Sequence, residues 1–228
     1  MRKKWLALGG LLIIVLLGIW AYNVWFGTTK IAFVNFQTIT MGGIAKANDN
    51  SFIKLQEVPV EELDRLSGFD MVFVNGMGLR VVEEQRQQIQ KAADKGVLVY
   101  TTMATNPANN ICTIDSVDQV ALRGYLGSGG RRNYKNMLNY IRKNMDKKLI
   151  SVEEPGVPIE RSSDVLYHVD VDKPGDELDF VSVEEYEKYL KSKQLYKEGA
   201  KKIVVTGQMA DATGLILSLI HISEPTRL

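Results

Sequence analysis

Between Trp5 and Phe26 the sequence reads WLALGGLLIIVLLGIWAYNVWF, without a single charged residue. At about 1.5 Å of rise per residue such a stretch crosses a hydrocarbon core of roughly 30 Å, so the chain opens with one helix whose natural solvent is lipid. Arg2, Lys3 and Lys4 precede it, while Trp20, Tyr22 and Trp25 mark its distal end. The positive-inside rule and the aromatic belt then put the N-terminus in the cytoplasm and the bulk of the chain on the periplasmic or extracytoplasmic side of the inner (plasma) membrane. A cleaved signal peptide is the alternative. The apolar stretch exceeds the usual h-region of about 7 to 15 residues and no A-x-A-like site follows, which favours an uncleaved single-pass anchor through residues 5–26. Gly9 and Gly10 are adjacent and lack the G-x-x-x-G dimerisation spacing.

The remainder, within 228 residues, has room for one ordinary domain and part of another. A net charge of +1 disfavours a nucleic-acid binder. One cysteine, Cys112, and two histidines, His168 and His221, leave neither an internal disulfide nor a Cys- or His-rich zinc site. Short β-branched runs alternate with helical patterns: strands at Lys30–Phe36, Ser51–Leu55, Met71–Asn75 and Val97–Thr101, helices at Val60–Leu66 and Val82–Lys95, the latter stopped by Gly96. This order predicts an α/β fold, a doubly wound parallel sheet of the flavodoxin-like or Rossmann-like kind, whose ligands usually lie beyond the carboxyl ends of the strands. Helices are expected from Ser116 and from Tyr134, the second with an apolar stripe of Tyr134, Met137, Leu138, Ile141 and Met145. Leu149–Val152 is a candidate fifth strand. The expected organisation is 1–27 basic tip and anchor, 28–152 α/β head, 153–180 Pro-rich connector, and 181–216 a helix and the first strand, Lys202–Gly207, of a second, truncated α/β domain. Ser182 and Glu185 form a capping box for that helix, with Val183, Tyr186, Tyr189 and Leu190 on its inner face.

The segment LSLIHISEPTR, Leu217 to Arg227, reads as the in-frame translation of a sequencing-library transposon adapter, so 217–228 is expected to be foreign and His221 to carry no functional weight. The native chain would then continue beyond Ile216.

Among candidate chemistry, Thr38 and Thr40 have too few neighbouring glycines or hydroxyls for a phosphate loop and read as loop hydroxyls. Gly76 and Gly78 lack the third glycine of a dinucleotide fingerprint and read as a strand-to-helix turn. Gly127–Asn133 is richer: Arg131 and Arg132 at a helix N-terminus suit a carboxylate or phosphate, while Asn133 also serves as an ordinary N-cap. His168, with Asp164 and Asp170 nearby, offers a metal or tetrapyrrole contact but falls short of a tetrahedral site. Cys112 reads as a structural thiol, and Met41, Met77 and Met103 as gap-filling core near strand ends.

Three of these stretches, in order, resemble one family. GGRRN (Gly129 to Asn133) with its following helix, the run of Pro155 and Pro158 into VLYHVD (Val165 to Asp170), and EEYEKYL leading into KIVVTGQ are similar to the large, H-type, CobN-like subunit of cobaltochelatase and magnesium chelatase. Val165 and Val169 replace the family's Gly and Pro in the histidine motif. The resemblance implies a very large subunit that binds a tetrapyrrole and a divalent metal (cobalt, magnesium or iron) in a body beyond Ile216, partnered in cytoplasmic enzymes by ATPase subunits. It implies no catalytic residue in this chain. It marks Gly129, Gly130, Asn133, Tyr167 and His168 as family-matching positions, and with Arg131 and Arg132 of the same motif these are the substrate-contact candidates. The anchor separates this chain from cytoplasmic ATP-driven partners, and the membrane-anchored CobN-like proteins of haem uptake are the more similar group. A tethered periplasmic binding or sensor module without chemistry is the alternative.

Overall fold

The structure, a computed structural model, describes residues 2–160, 166–172, 177–180 and 182–199. The expected strand Lys202–Gly207, the adapter-like 217–228 and Asp164 lie outside the described residues. The chain divides into two units. The first comprises Met1–Phe36, Asn50–Asp118 and Leu138–Pro155; the second comprises Gln37–Asp49, Gln119–Met137 and the chain from Gly156 onward.

The first unit begins with α1 (Arg2–Phe26). From Gly9 to Phe26 this helix is long and apolar enough to span a membrane, a property it shares with signal sequences, and none of that stretch is buried. Two residues later β1 (Thr29–Val34) enters a sheet with β2 (Ile53–Glu57), β3 (Met71–Asn75) and β4 (Leu98–Thr102). All pairings are parallel and the order is β2-β1-β3-β4, the flavodoxin-like rather than the Rossmann-like arrangement. Both faces of β1 and β3 are buried, which is why their sequences are apolar without alternation. One face carries an aromatic rung, Phe33 stacked on Phe73 at 5.1 Å and Phe73 edge-on to Tyr100 at 6.1 Å. The other packs Ala32, Val34, Val72, Val74 and Val99 under a 3₁₀ helix, Val60–Gly68, and α3 (Glu83–Asp94). Gly96 ends α3 at φ +89° in a Schellman motif: its N–H reaches the Ala93 carbonyl at 2.9 Å and that of Val97 reaches Ala92 at 3.1 Å.

Leu149–Val152 is not a strand. The edge of β4 that it would extend is occupied by Cys112, in an antiparallel bridge with Tyr100, and by Thr113, whose N–H donates to the Val99 carbonyl at 2.9 Å. The left-handed backbone of Lys147 and Ser151 instead bends this segment, and the Ile150 carbonyl accepts from Arg142. Cys112 is half-buried, and burial pushes its thiol above the ordinary value, away from a reactive thiolate.

Arg142 lies in a π-helical turn, Ile141–Met145, and is wholly buried. Its guanidinium donates to the carbonyls of Ile150 (2.8 and 3.1 Å) and Gly27 (2.9 Å) and to the Thr29 hydroxyl (2.9 Å), with Phe52 beneath at 5.3 Å. Thr29 in turn donates to Asp146 at 2.5 Å, and Lys148 stands 3.5 Å from that carboxylate. Burial raises the Asp146 pKa above its ordinary 3.8, against the pull of the Thr29 hydrogen bond and Lys148. With the folded pKa the higher one, the stabilisation this group confers is complete below pH 3.8 and is lost as pH rises through the raised value. Accordingly the unfolding free energy of wild type relative to Asp146→Asn, measured in detergent micelles, should fall as pH increases across that window. A pH-independent difference would mean that the carboxyl is not desolvated.

The second unit contains α2 (Thr38–Ala47) and most of α4 (Ser116–Ser128) and α5 (Gly130–Tyr140). It also holds an antiparallel hairpin, β5 (Leu166–Val169) with β6 (Glu177–Phe180), followed by α6 (Val183–Ser192). Thus the stretch expected to be a plain connector carries a hairpin. Thr38 and Thr40 lie in the first turn of a helix, not in a loop, and Ser182 caps α6 by accepting from the Glu185 N–H at 3.1 Å. Val183 is 53% exposed, so the inner face of α6 is narrower than expected.

Candidate functional site

In the first unit the carboxyl edge of the sheet, between β1 and β3, is where a flavodoxin-like fold places a ligand. Asn35 follows β1 at φ +59° and donates its side-chain amide to the carbonyls of Asn75 (2.8 Å) and Met77 (3.2 Å). Beside it the turn after β3 is pinned to the turn after β4: Gly76 N–H donates to Thr102 at 2.7 Å and Gly78 N–H to the Thr105 hydroxyl at 3.1 Å. A Cβ on Gly76 would stand 2.5 Å from the Ala104 Cα, so close approach of the two turns requires glycine there, while Gly78 supplies the positive φ. These donors are spent within the protein rather than offered as an anion cradle. Met77 and Met103 are 51% and 71% exposed, so they are not core; both lie just past the ends of their strands, facing solvent. A cavity of about 350 Å³ lies at the opposite, amino edge, lined by Asp70, Lys95, Met145 and Asp146 among others.

In the second unit the glycine-rich motif reverses the chain between two helices. Gly129 and Gly130 both adopt positive φ, +60° and +80°, and the Gly129 N–H closes α4 on the Tyr125 carbonyl at 3.0 Å. As a result α5 starts at Gly130, four residues before Tyr134, and Asn133 lies inside the helix rather than at its N-cap. The Asn133 side chain is 2% exposed. Its amide donates to the carbonyls of Gly129 and Ile159, each at 2.9 Å, and its oxygen accepts from the Ile159 N–H at 2.9 Å. The segment after Pro155 is fastened at two further points: Tyr125 donates to the Gly156 carbonyl at 2.6 Å, and a Cβ on Gly124 would meet Pro158 at 2.8 Å. Arg131 and Arg132 are exposed in the first turn of α5, where the helix dipole favours an anion.

His168, half-buried on β5, packs against Tyr186 and Tyr189 of α6 at ring distances of 5.7 and 5.6 Å. Phe180 of β6 closes the cluster against the same two tyrosines. Tyr167 occupies the neighbouring position on β5. Among the described residues no group of three His, Cys, Asp or Glu side chains is placed to hold a metal. Sequence patterns alone missed Ile159 as the partner of Asn133, and missed Arg142 and Asn35. Only Asn35, a polar residue between Val34 and Phe36, gave a hint in the sequence.

No family model matches the chain, and no curated protein matches it. Among solved structures the chain is similar to the catalytic subunit of cobaltochelatase from Mycobacterium tuberculosis, with a TM-score of 0.44 and 13% identity over 64% of this chain. It spans 12% of the length of that protein.

Proposed function

We propose that this chain is the N-terminal, membrane-anchored part of a large tetrapyrrole-handling subunit of the cobaltochelatase and magnesium-chelatase type, facing the extracytoplasmic side. The observation that carries the reading is the coupling of its motifs. Asn133 of the glycine motif is bonded to Ile159 of the proline run, and His168 of the histidine motif is packed on Tyr186 and Tyr189 of the helix that follows. Motifs that touch pairwise have a physical reason to occur together, beyond their order. On this reading Arg131 and Arg132 meet the carboxylates of a corrin or porphyrin, as guanidinium groups do well, and His168 with its tyrosines borders the macrocycle. Removing iron from haem suits this side of the membrane: two ring nitrogens take up protons as the metal leaves, and no cytoplasmic ATPase partner is needed.

Sequencing the source locus past the codon for Ile216 tests the proposal. The frame is expected to continue into a tetrapyrrole-binding body far larger than a single domain of about 100 to 150 residues. In detergent micelles the present chain should leave haem iron in place while the full-length protein removes it. Turnover by the present chain, or a frame without such a body, would overturn the assignment. A second reading, a tethered ligand-binding or sensor module, is favoured by the exposed Met77 and Met103 at the carboxyl edge of the sheet.

A further inference from the structure

The end of α1 is not a free linker. Carbonyls at and just past its end are taken up by the head: Asn23, which also accepts from the Gly27 N–H at 3.1 Å, accepts from the Lys148 ammonium at 3.2 Å, Trp25 from the Leu149 N–H at 2.8 Å, and Gly27 from Arg142 at 2.9 Å. A helix end leaves carbonyls without helical partners, and in water these are solvated cheaply. Here they are fixed by the π-helical turn through Arg142 and by the loop after it through Lys148 and the Leu149 N–H, so that loop stands at the level of Trp25. That is the belt position at which aromatic side chains meet lipid headgroups. In the same loop Leu149 is 68% exposed and Ile150 43% exposed, two neighbouring apolar side chains that the head leaves uncovered. Lys147 is exposed beside them, on left-handed backbone. An apolar pair flanked by a lysine suits the bilayer interface, where apolar side chains enter the acyl boundary and the lysine stem lies along it with its charge in water.

We propose that the loop Lys147–Ile150 is a membrane-contact element that inserts Leu149 and Ile150 into the interface of the bilayer spanned by α1, so that the head is held against the membrane at a second point. The proposal rests on α1 remaining in the membrane as an anchor. Its occupant is lipid because the loop is joined by two hydrogen bonds, from Lys148 and Leu149, to the end of the lipid-spanning segment. The amino edge of the sheet then faces the membrane and the carboxyl edge faces away, since all four strands run parallel to β1, which starts directly after the anchor.

The test uses the full chain with Cys112→Ser, carrying single spin labels at Leu149→Cys, Met77→Cys or Leu17→Cys, in phosphatidylethanolamine–phosphatidylglycerol vesicles. Leu149, Met77 and Leu17 are all exposed, at 68%, 51% and 58%, so the labels are tolerated, and Met77 lies at the carboxyl edge, away from the membrane. Collision rates with oxygen and with a water-soluble nickel chelate report depth. The oxygen-to-nickel ratio at position 149 should exceed that at 77 severalfold and fall below that at 17. Equal ratios at 149 and 77, with 17 in lipid, would overturn the docking and leave the anchor standing. Aqueous behaviour at 17 would remove the anchor and the docking together. Protection of 149 from both reagents would place a second copy or a partner protein on the loop, and the proposal would again be wrong.

Discussion

Arg142→Ala should destabilise the first unit by about 3–5 kcal/mol, since it empties a buried site and strips the donor from several buried acceptors at about 1–3 kcal/mol each. The side chain is wholly buried, and four acceptors depend on it: the carbonyls of Gly27 and Ile150, the Thr29 hydroxyl and, more distantly, the Phe52 carbonyl at 3.4 Å. Burial holds its pKa below the usual arginine value, with Asp146 and Asp70 pulling the other way, and it stays charged at any pH the protein meets. Lysine is no substitute. A single ammonium cannot reach acceptors contributed by the anchor junction, β2's approach and the Ile150 turn at once, so Arg142→Lys should recover less than half of the loss. Arg142→Met separates volume from hydrogen bonding, since it refills the space and takes this donor from the Gly27 and Ile150 carbonyls, while the Phe52 carbonyl keeps the Thr29 N–H at 2.8 Å. Urea unfolding followed by far-ultraviolet circular dichroism in detergent micelles measures all three. If the methionine variant stayed within about 1 kcal/mol of wild type, packing rather than the donor fork would be what matters, because each unsatisfied buried acceptor carries a cost of about that size or more.

The sheet was legible in the sequence where one physical cause acted alone. Met71–Asn75 is bounded as expected because burial on both faces demands an uninterrupted apolar run, and α3 ends at Gly96 because only glycine takes φ +89° without strain. Strand ends elsewhere moved by one or two residues, as with β2 at Ile53–Glu57, whose outward-facing Lys54 and Glu57 carry no apolar signal. The α2 helix was not legible. Gly42 and Gly43 within TITMGGIAKA oppose helix formation by up to about 1 kcal/mol each, and its burial of Ile44 and Ala47 is a tertiary gain that local propensity cannot register.

The candidate site was legible as a motif but not as a geometry. Asn133 satisfies the rank order for an N-cap, and nothing local distinguishes capping its own helix from gripping Ile159, which stands 26 residues away in sequence. The hairpin of β5 and β6 was hidden for a related reason. A four-residue strand such as LYHV is stabilised by its cross-strand partners, Phe180 opposite Leu166 and Leu178 opposite His168, rather than by its own composition. Arg142 was passed over because a charged residue at one position of an amphipathic helix is ordinarily solvated, and only the return of the chain through Ile150 and Gly27 makes it internal.

Asn133→Ala should destabilise the second unit by about 2–4 kcal/mol, since it strips hydrogen-bond partners from two carbonyls and one N–H in a buried setting. Asn133→Asp is the sharper experiment because it keeps the shape and changes only the charge and the donors. Its carboxylate can still accept from the Ile159 N–H, but it faces the Gly129 and Ile159 carbonyls with no hydrogen to offer. Protonation restores one donor, so the buried acid should hold its proton to higher pH in the folded state than in the unfolded one. Stability is then present at low pH and lost as pH rises through the raised folded pKa, the opposite slope to a salt-bridged carboxylate. Thermal unfolding of wild type, Asn133→Ala and Asn133→Asp across acid to neutral pH in detergent micelles reads this directly: the aspartate variant should approach wild type only in acid, while the alanine variant runs parallel to wild type throughout. The same pair of variants separates two roles for the glycine motif. If Asn133 grips Ile159 only to hold the proline run in place, then on the function proposed above Arg131→Ala with Arg132→Ala should weaken haem binding by the longer protein without changing the melting profile, whereas the Asn133 variants should change both together. Loss of haem affinity in the Asn133 variants with an unchanged melt would instead make the asparagine a direct ligand contact.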